Sequence, residues 1–295
     1  MTKPAQLLPK PRREGPGKGF PATPAALVPA LALALAASFA CARPALAAGY
    51  FGSGLSFASE PVPLSQPEIY ETLDQELILV SEAKARVFLA LRRAPRTLPL
   101  VESALRASGV PEDFKYLPMA MTSLDPLFRN GGRRGIWRLT ESEAGGMGLS
   151  VNRLVDQRLD PAASSEASAR RLASLHQSWG TWTAALAAFL DQGAMSSAAS
   201  ESGGERDYYK LFVSPELDKA VCQVLAGKVL FSDPSVYGYR PSRAWPKLSG
   251  SRSASEGGNM RELARRHGTD YKTFRDMNPH ILTDSVPSGT VLNVP

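Results

Sequence analysis

Gly109-Val110-Pro111-Glu112-Asp113-Phe114-Lys115-Tyr116-Leu117-Pro118-Met119-Ala120-Met121-Thr122 is the stretch that decides the fold. Gly109 is the residue expected just past a helix end, where a left-handed backbone tolerates no Cβ cheaply. Pro111 followed by Glu112 and Asp113 opens a new helix, with proline in the first turn and acids against its positive end. Phe114, Leu117, Met119, Ala120 and Met121 give that helix an apolar body. Upstream, helical spacing runs over 68–108 through Leu73, Leu77, Val80, Val87 and Leu91. Pro95 and Pro99 are expected to break it, leaving a short helix over 100–108. Downstream, 129–136 reads as a loop, 164–179 and 181–190 as helices, and 193–204 as a mobile Gly/Ser/Ala loop. A helical period returns over 208–230.

The last forty residues read as a small separate unit. It has short helices over 261–267 and 271–277 and an alternating strand over 290–294. No other convincing strand is expected, so the chain is predicted to be mainly α.

The chain has 295 residues, 43% hydrophobic and 21% charged, which excludes wholesale disorder. Its net charge is +6, but Lys3, Lys10, Arg12, Arg13, Lys18 and Arg43 stand against Glu14 alone within residues 1–48. Five of the six net charges therefore sit in that segment. The remainder is nearly neutral, and no nucleic-acid partner is expected. Residues 1–48 read as an export signal: a basic stretch, an apolar run too short to span a bilayer, and Ala45-Leu46-Ala47 as a cleavage signature. Any membrane contact would come through this segment or through a lipid on Cys41. Export leaves Cys222 as a lone thiol, read as buried and structural. His176, His267 and His280 have no metal-ligand spacing, so neither metal nor cofactor is expected.

Several strings recur in one family's order. Gly109 to Pro118 resembles the lead-in to the catalytic helix of membrane-bound lytic transglycosylases of the D type. Gly135-Ile136-Trp137, Gly148-Leu149-Ser150-Val151-Asn152 and the run from Val155-Asp156-Gln157-Arg158 to Pro161 are similar to its following segments. So are Ser165 to Arg170, Gly180-Thr181-Trp182 through Phe189, and Asp233-Pro234-Ser235-Val236-Tyr237-Gly238-Tyr239. The end of the chain, through Met277-Asn278-Pro279-His280 and Pro287-Ser288-Gly289, resembles a LysM module. The resemblance implies a goose-type lysozyme-like helical domain followed by a small α+β βααβ module. Together with composition, it divides the chain into signal 1–48, linker 49–69, helical domain 70–240, linker 241–255 and module 256–295. It also implies a periplasmic or cell-envelope location, with peptidoglycan glycan strands as the partner, and a cell-wall enzyme as a second candidate partner.

The resemblance further implies that one glutamate does the chemistry. It protonates the glycosidic oxygen, then takes a proton from the sugar's own 6-hydroxyl, which attacks the anomeric carbon. At that position stands Met121, which has no transferable proton. Thr122 replaces the following Ser, Arg138 the Gln after Trp137, and Leu190 the Asn after Phe189. A catalytically inactive, peptidoglycan-binding protein is therefore expected. The alternative is an active enzyme with a relocated acid, Glu141 or Asp191. Glu102, in a string that imitates the catalytic one, is read as a helix-surface residue. Trp137 and Phe189 are either sugar-stacking platforms or core. Arg138 is either a carboxylate binder or a surface charge, and Asn278 is the module's candidate contact.

Overall fold

The computed structural model describes residues 51, 54–240, 251–252 and 255–295. The expected export segment, Cys41 and most of the linker 241–255 lie outside the described residues.

Residues 54–66, expected to belong to a linker, pack onto the domain. Strands β1 (Ser56–Phe57) and β2 (Glu60–Pro61) pair antiparallel. Phe57 is fully buried and meets Phe114 edge-on, with ring centroids 5.1 Å apart. Asp113 Oδ2 accepts from the Ala58 amide and from Lys228 Nζ, both at 2.6 Å. The Glu60 carboxylate accepts from the amides of Trp182 and Thr183. One buried aromatic and one helix-capping acid thus overrule a Gly/Ser/Pro composition.

Helix α1 (Pro67–Glu82) buries Leu73, Leu77 and Val80. Helix α2 (Lys84–Ala107) runs unbroken through Pro95 and Pro99, against expectation. An internal proline costs about 3 kcal/mol through a lost hydrogen bond and a clash. A continuous buried face, Val87, Ala90, Thr97, Val101, Ala104 and Leu105, offsets that loss. A 3-10 turn (Glu112–Lys115) leads into α3 (Tyr116–Thr122), the expected helix. Residues read as a loop form a hairpin, β3 (Arg129–Asn130) with β4 (Arg133–Arg134), closed by Gly131 and Gly132 at positive φ.

Helix α4 (Glu141–Gly146) starts at a capping box between Thr140 and Glu143. Then come α5 (Pro161–Trp179), α6 (Trp182–Leu190) and α7 (Gln192–Glu201). The last of these replaces the expected mobile loop. Asp191 caps it, and Met195 and Ala198 anchor it in the core. Helix α8 (Pro215–Ser232) carries Cys222, buried and with its thiol pushed up to about 12 by burial, as a structural thiol should be. Helix α8 packs against α1 and α3, and α5 against α2 and α6. The seat of α3 on α8 needs Gly227, where a Cβ would lie 2.6 Å from that of Ala120.

The C-terminal module has the order β5 (Ser251–Arg252), β6 (Glu256–Asn259), α9 (Met260–Arg266), α10 (Tyr271–Met277), β7 (Ser285–Thr290), β8 (Asn293–Val294). Strand β5 pairs with β8 and β6 with β7, both antiparallel. The pairing therefore begins at Ser285, earlier than expected, because Pro287 and Gly289 disguise the alternation. Nor is the module separate. Val155 of the helical domain joins Met260, Leu263, Phe274, Ile281 and Leu292 in its core. The Asp156 amide donates to His280 O, and the Leu282 amide to Leu154 O, each at 2.8 Å.

The same loop holds a buried ion pair. Arg158 donates through Nε to Asp156 Oδ1 and through Nη2 to Oδ2, each at 2.8 Å. The two side chains are 5% and 1% exposed. Arg134 adds a third charge, 3.2 Å from Asp156 Oδ2. Arg158 Nη1 also reaches the carbonyls of Gly132 and Leu139. Burial by itself would push the Asp156 carboxyl up. The hydrogen bond and charge of Arg158, then Arg134, overcome that and hold it below the usual range.

Replacing Asp156 by Asn leaves two cations facing each other and should cost about 3 kcal/mol in denaturant unfolding. A folded carboxyl held low stabilises above the unfolded value of about 4, and that contribution is lost as pH falls. Unfolding free energy should therefore drop more steeply from pH 4 to pH 2 in the wild type than in Asp156→Asn. Parallel profiles would show that the pair contributes nothing.

Candidate functional site

A groove of about 610 Å³ opens between α3, the turn after β4, α4, α6 and α8. Its floor is Leu117 and Met121 of α3, and its walls include Trp137, Arg138, Phe189 and Leu190. Six site residues singled out in the sequence thus meet in one place: Met121, Trp137, Arg138, Phe189, Leu190 and Asp191. Thr122, Glu141 and Asn278 do not line it.

Three parts of the fold place position 121. Helix α3 stops at Ser123 and Leu124, both left-handed at φ 55°. The Arg86 guanidinium donates 2.9 Å bonds to the carbonyls of Ala120 and Met121, putting a cation on the negative helix end. Thr122 Oγ1 shares its proton between Pro118 O at 2.8 Å and Ile136 O at 3.0 Å, which ties α3 to the Trp137 turn.

The turn itself depends on Gly135, at φ 72°. A Cβ there would lie 1.8 Å from Arg158 O, so only glycine fits. Trp137 is 2% exposed. Its indole N–H donates to Ser165 Oγ at 2.9 Å, and its ring meets Phe189 edge-on at 5.9 Å. Trp137 therefore supports the groove wall as a buried ring, and the half-buried Phe189 offers the more accessible aromatic edge.

Arg138 adopts φ 54°, a region that costs a non-glycine residue about 1–2 kcal/mol. The turn holds it there. Arg134 and Leu139 exchange backbone hydrogen bonds at 2.9 and 3.0 Å, and Arg138 N donates to Gly135 O. Its guanidinium lies over the Phe128 ring and directs Nη1 at Met121 Sδ, 2.6 Å away. A thioether sulfur is a weak acceptor. Nε is buried without any partner. Burial, then repulsion from Arg133 and Arg86, lowers the Arg138 pKa, with Glu143 opposing. Position 121 thus has the Arg138 guanidinium at its sulfur and the Arg86 guanidinium at its carbonyl.

Two of the acids that line the groove are committed elsewhere. Glu143 pairs with Arg133 at 3.0 Å and accepts from the Thr140 amide. Asp191 caps α7. Glu216 lies exposed in the first turn of α8. Glu141 is exposed in the first turn of α4 and does not line the groove. Asp125 pairs with Arg93 at 3.1 Å, and Glu102 with Lys115 at 3.1 Å, as its reading as a helix-surface residue requires. Among the described residues no cluster of His, Cys, Asp and Glu could hold a metal ion.

Asn278 lies in the C-terminal module, outside the groove, and is fully buried. Its amide nitrogen donates to Phe274 O and Asn293 O, and its oxygen accepts from the Asn293 amide. The side chain clamps β8 to α10, and its polar atoms are used within the module.

Sequence reasoning missed Arg86, Arg133 and Ser165. Arg86 lies on a helix far from the motifs, and an arginine's partners are not encoded in its neighbours. Ser165 had a faint signal, one of several small polar residues on the inward face of α5.

Helices around a groove, with α3 at its floor, define a lysozyme-like helical domain. Residues 98–211 match the family model described as Transglycosylase SLT domain. Domains of this family act on peptidoglycan glycan strands in the cell envelope. The match runs from mid-α2 to the turn before α8. No curated protein matches the chain. Among the described residues no helix is long and apolar enough to cross a membrane.

Thr122→Val keeps the shape of the side chain but removes the shared proton. It should lower unfolding free energy by about 1 kcal/mol, whereas Thr122→Ser should retain the bond. Equal losses in the two variants would show that the hydroxyl does not tie α3 to the turn.

Proposed function

We propose that this protein is a catalytically inactive, lytic transglycosylase-like component of the cell envelope that binds peptidoglycan through the old catalytic groove. The observation that carries the reading is Met121 Sδ beneath the Arg138 guanidinium, in place of a proton-transferring carboxyl. General acid catalysis needs a group that is protonated at working pH and within hydrogen-bond reach of the leaving oxygen. Among the carboxylates that line the groove, Glu143 and Asp191 already serve the fold, and Glu216 stays exposed on its rim. This is the argument against a relocated acid at Glu141 or Asp191.

In this reading the C-terminal βααβ module is LysM-like and adds a second glycan contact, held rigidly to the domain through Val155. Asn278 would act there by shaping the module rather than by touching sugar. Residues 1–48 would deliver the protein to the periplasm. A cell-wall enzyme bound at the same surface is compatible with this role, and the groove would then present glycan to it.

The purified protein should co-sediment with insoluble peptidoglycan sacculi and leave them intact. Protein that stays in the supernatant would defeat the binding claim. Met121→Glu should not create an enzyme. The Arg138 and Arg86 guanidinium groups would hold the new carboxyl ionised, and an ionised group cannot protonate a leaving oxygen. Release of soluble muropeptides by this single variant would refute that electrostatic argument.

A further inference from the structure

The groove contains a charge that the fold does not use. Among the described residues no oxygen accepts from the Arg138 guanidinium. Nη1 meets only a sulfur, and buried Nε meets nothing. Buried polar groups without partners are rare, and a partly desolvated cation without an oxygen acceptor is costly. The backbone is also held left-handed at this one arginine, and strain of that kind persists where the surroundings enforce it. A surface arginine would need neither feature. Glu143, the acid whose charge reaches Arg138, is taken by Arg133 and the Thr140 amide. Arg133 in turn braces the carbonyl of Arg138 at 2.9 Å.

Resting on the peptidoglycan-binding reading, we propose that Arg138 is the receptor for a carboxylate carried by the bound glycan, lodged above Met121. Loss of the glutamate and gain of the arginine are then one change, from a site that donates a proton to a site that receives an anion. A planar guanidinium offers two parallel N–H groups to a carboxylate, which fixes orientation as well as charge. The apolar surface of Met121, Phe128 and Leu190 strengthens the pairing by excluding water. A glutamate at position 121 would fill this receptor from within. Its loss frees the cation.

Two parts of the glycan carry carboxylates: the lactyl ether of a muramic acid without its peptide, and the peptide stem itself. Titration calorimetry with the purified protein separates them. Its arms are a GlcNAc–MurNAc saccharide with a free lactyl carboxyl, the same saccharide with that carboxyl amidated, and the saccharide bearing a stem peptide. At least one carboxylate-bearing saccharide should bind about tenfold or more tightly than the amidated one, the least that a charge-assisted hydrogen bond supplies. Which one does so identifies the source. Arg138→Gln should abolish the preference and Arg138→Lys should keep part of it. Met121→Glu should abolish it too, with Arg138 intact and paired internally, which guards against a folding defect in the first variant. Equal affinity for charged and amidated saccharides overturns the proposal. So does a preference that survives Arg138→Gln, or an acidic peptide without sugar that binds as tightly. Sacculus co-sedimentation that persists with no such preference would overturn this inference alone. Loss of co-sedimentation together with all saccharide binding would overturn the peptidoglycan reading as well.

Discussion

The pair between Asp156 and Arg158 is where the helical domain, the groove wall and the C-terminal module meet. Arg158 uses its side chain on Asp156 and on the carbonyls of Gly132 and Leu139. Its own carbonyl lies so close to Gly135 that no other residue fits. The turn carrying Trp137 and Arg138 is therefore cast against a buried charge pair. On the other side, the backbone of Leu154, Val155 and Asp156 bonds to the module. Buried ion pairs are weak evidence for stability in themselves, but breaking one is expensive. Here the value is positional: one pair fixes the register of three segments distant in sequence.

That frame is intact, and position 121 within it carries a thioether. Position 121 is buried and tied by Thr122 and Arg86, the features that would hold a catalytic side chain still. The electrostatics run the other way. A general acid needs surroundings that favour its neutral form, such as an apolar pocket. Arg138 and Arg86 instead favour negative charge at that spot. Met121, Arg138 and Leu190 line one groove, so each sets the surroundings of the others.

The helical architecture was legible because apolar spacing and helix punctuation are local signals. Gly109 marked a helix end as expected, whereas Pro111 opens a 3-10 turn and α3 itself starts only at Tyr116. The errors share a cause. Pro95 and Pro99 outvoted a buried face that only tertiary packing reveals. The Ser/Ala content of 193–204 hid two buried anchors on α7. The composition of 54–66 hid Phe57 and Glu60. In the site, Met121, Arg138 and Leu190 were found by position in a motif. What the sequence could not supply was the direction of the Arg138 guanidinium, which depends on a left-handed turn. Nor could it supply the saturation of Asn278, which depends on β8 returning beside α10.

Whether the groove still transfers a proton decides what this protein does. Lytic cleavage with the substrate's own 6-hydroxyl as nucleophile leaves a 1,6-anhydro end on every strand it cuts. Mass spectrometry of sacculi incubated with the wild-type protein counts those ends directly. They are expected to stay at the level of a protein-free blank across the neutral range. Accumulation of 1,6-anhydro ends with time and protein concentration would contradict the account, because some carboxyl in or near the groove would then be acting as acid and base.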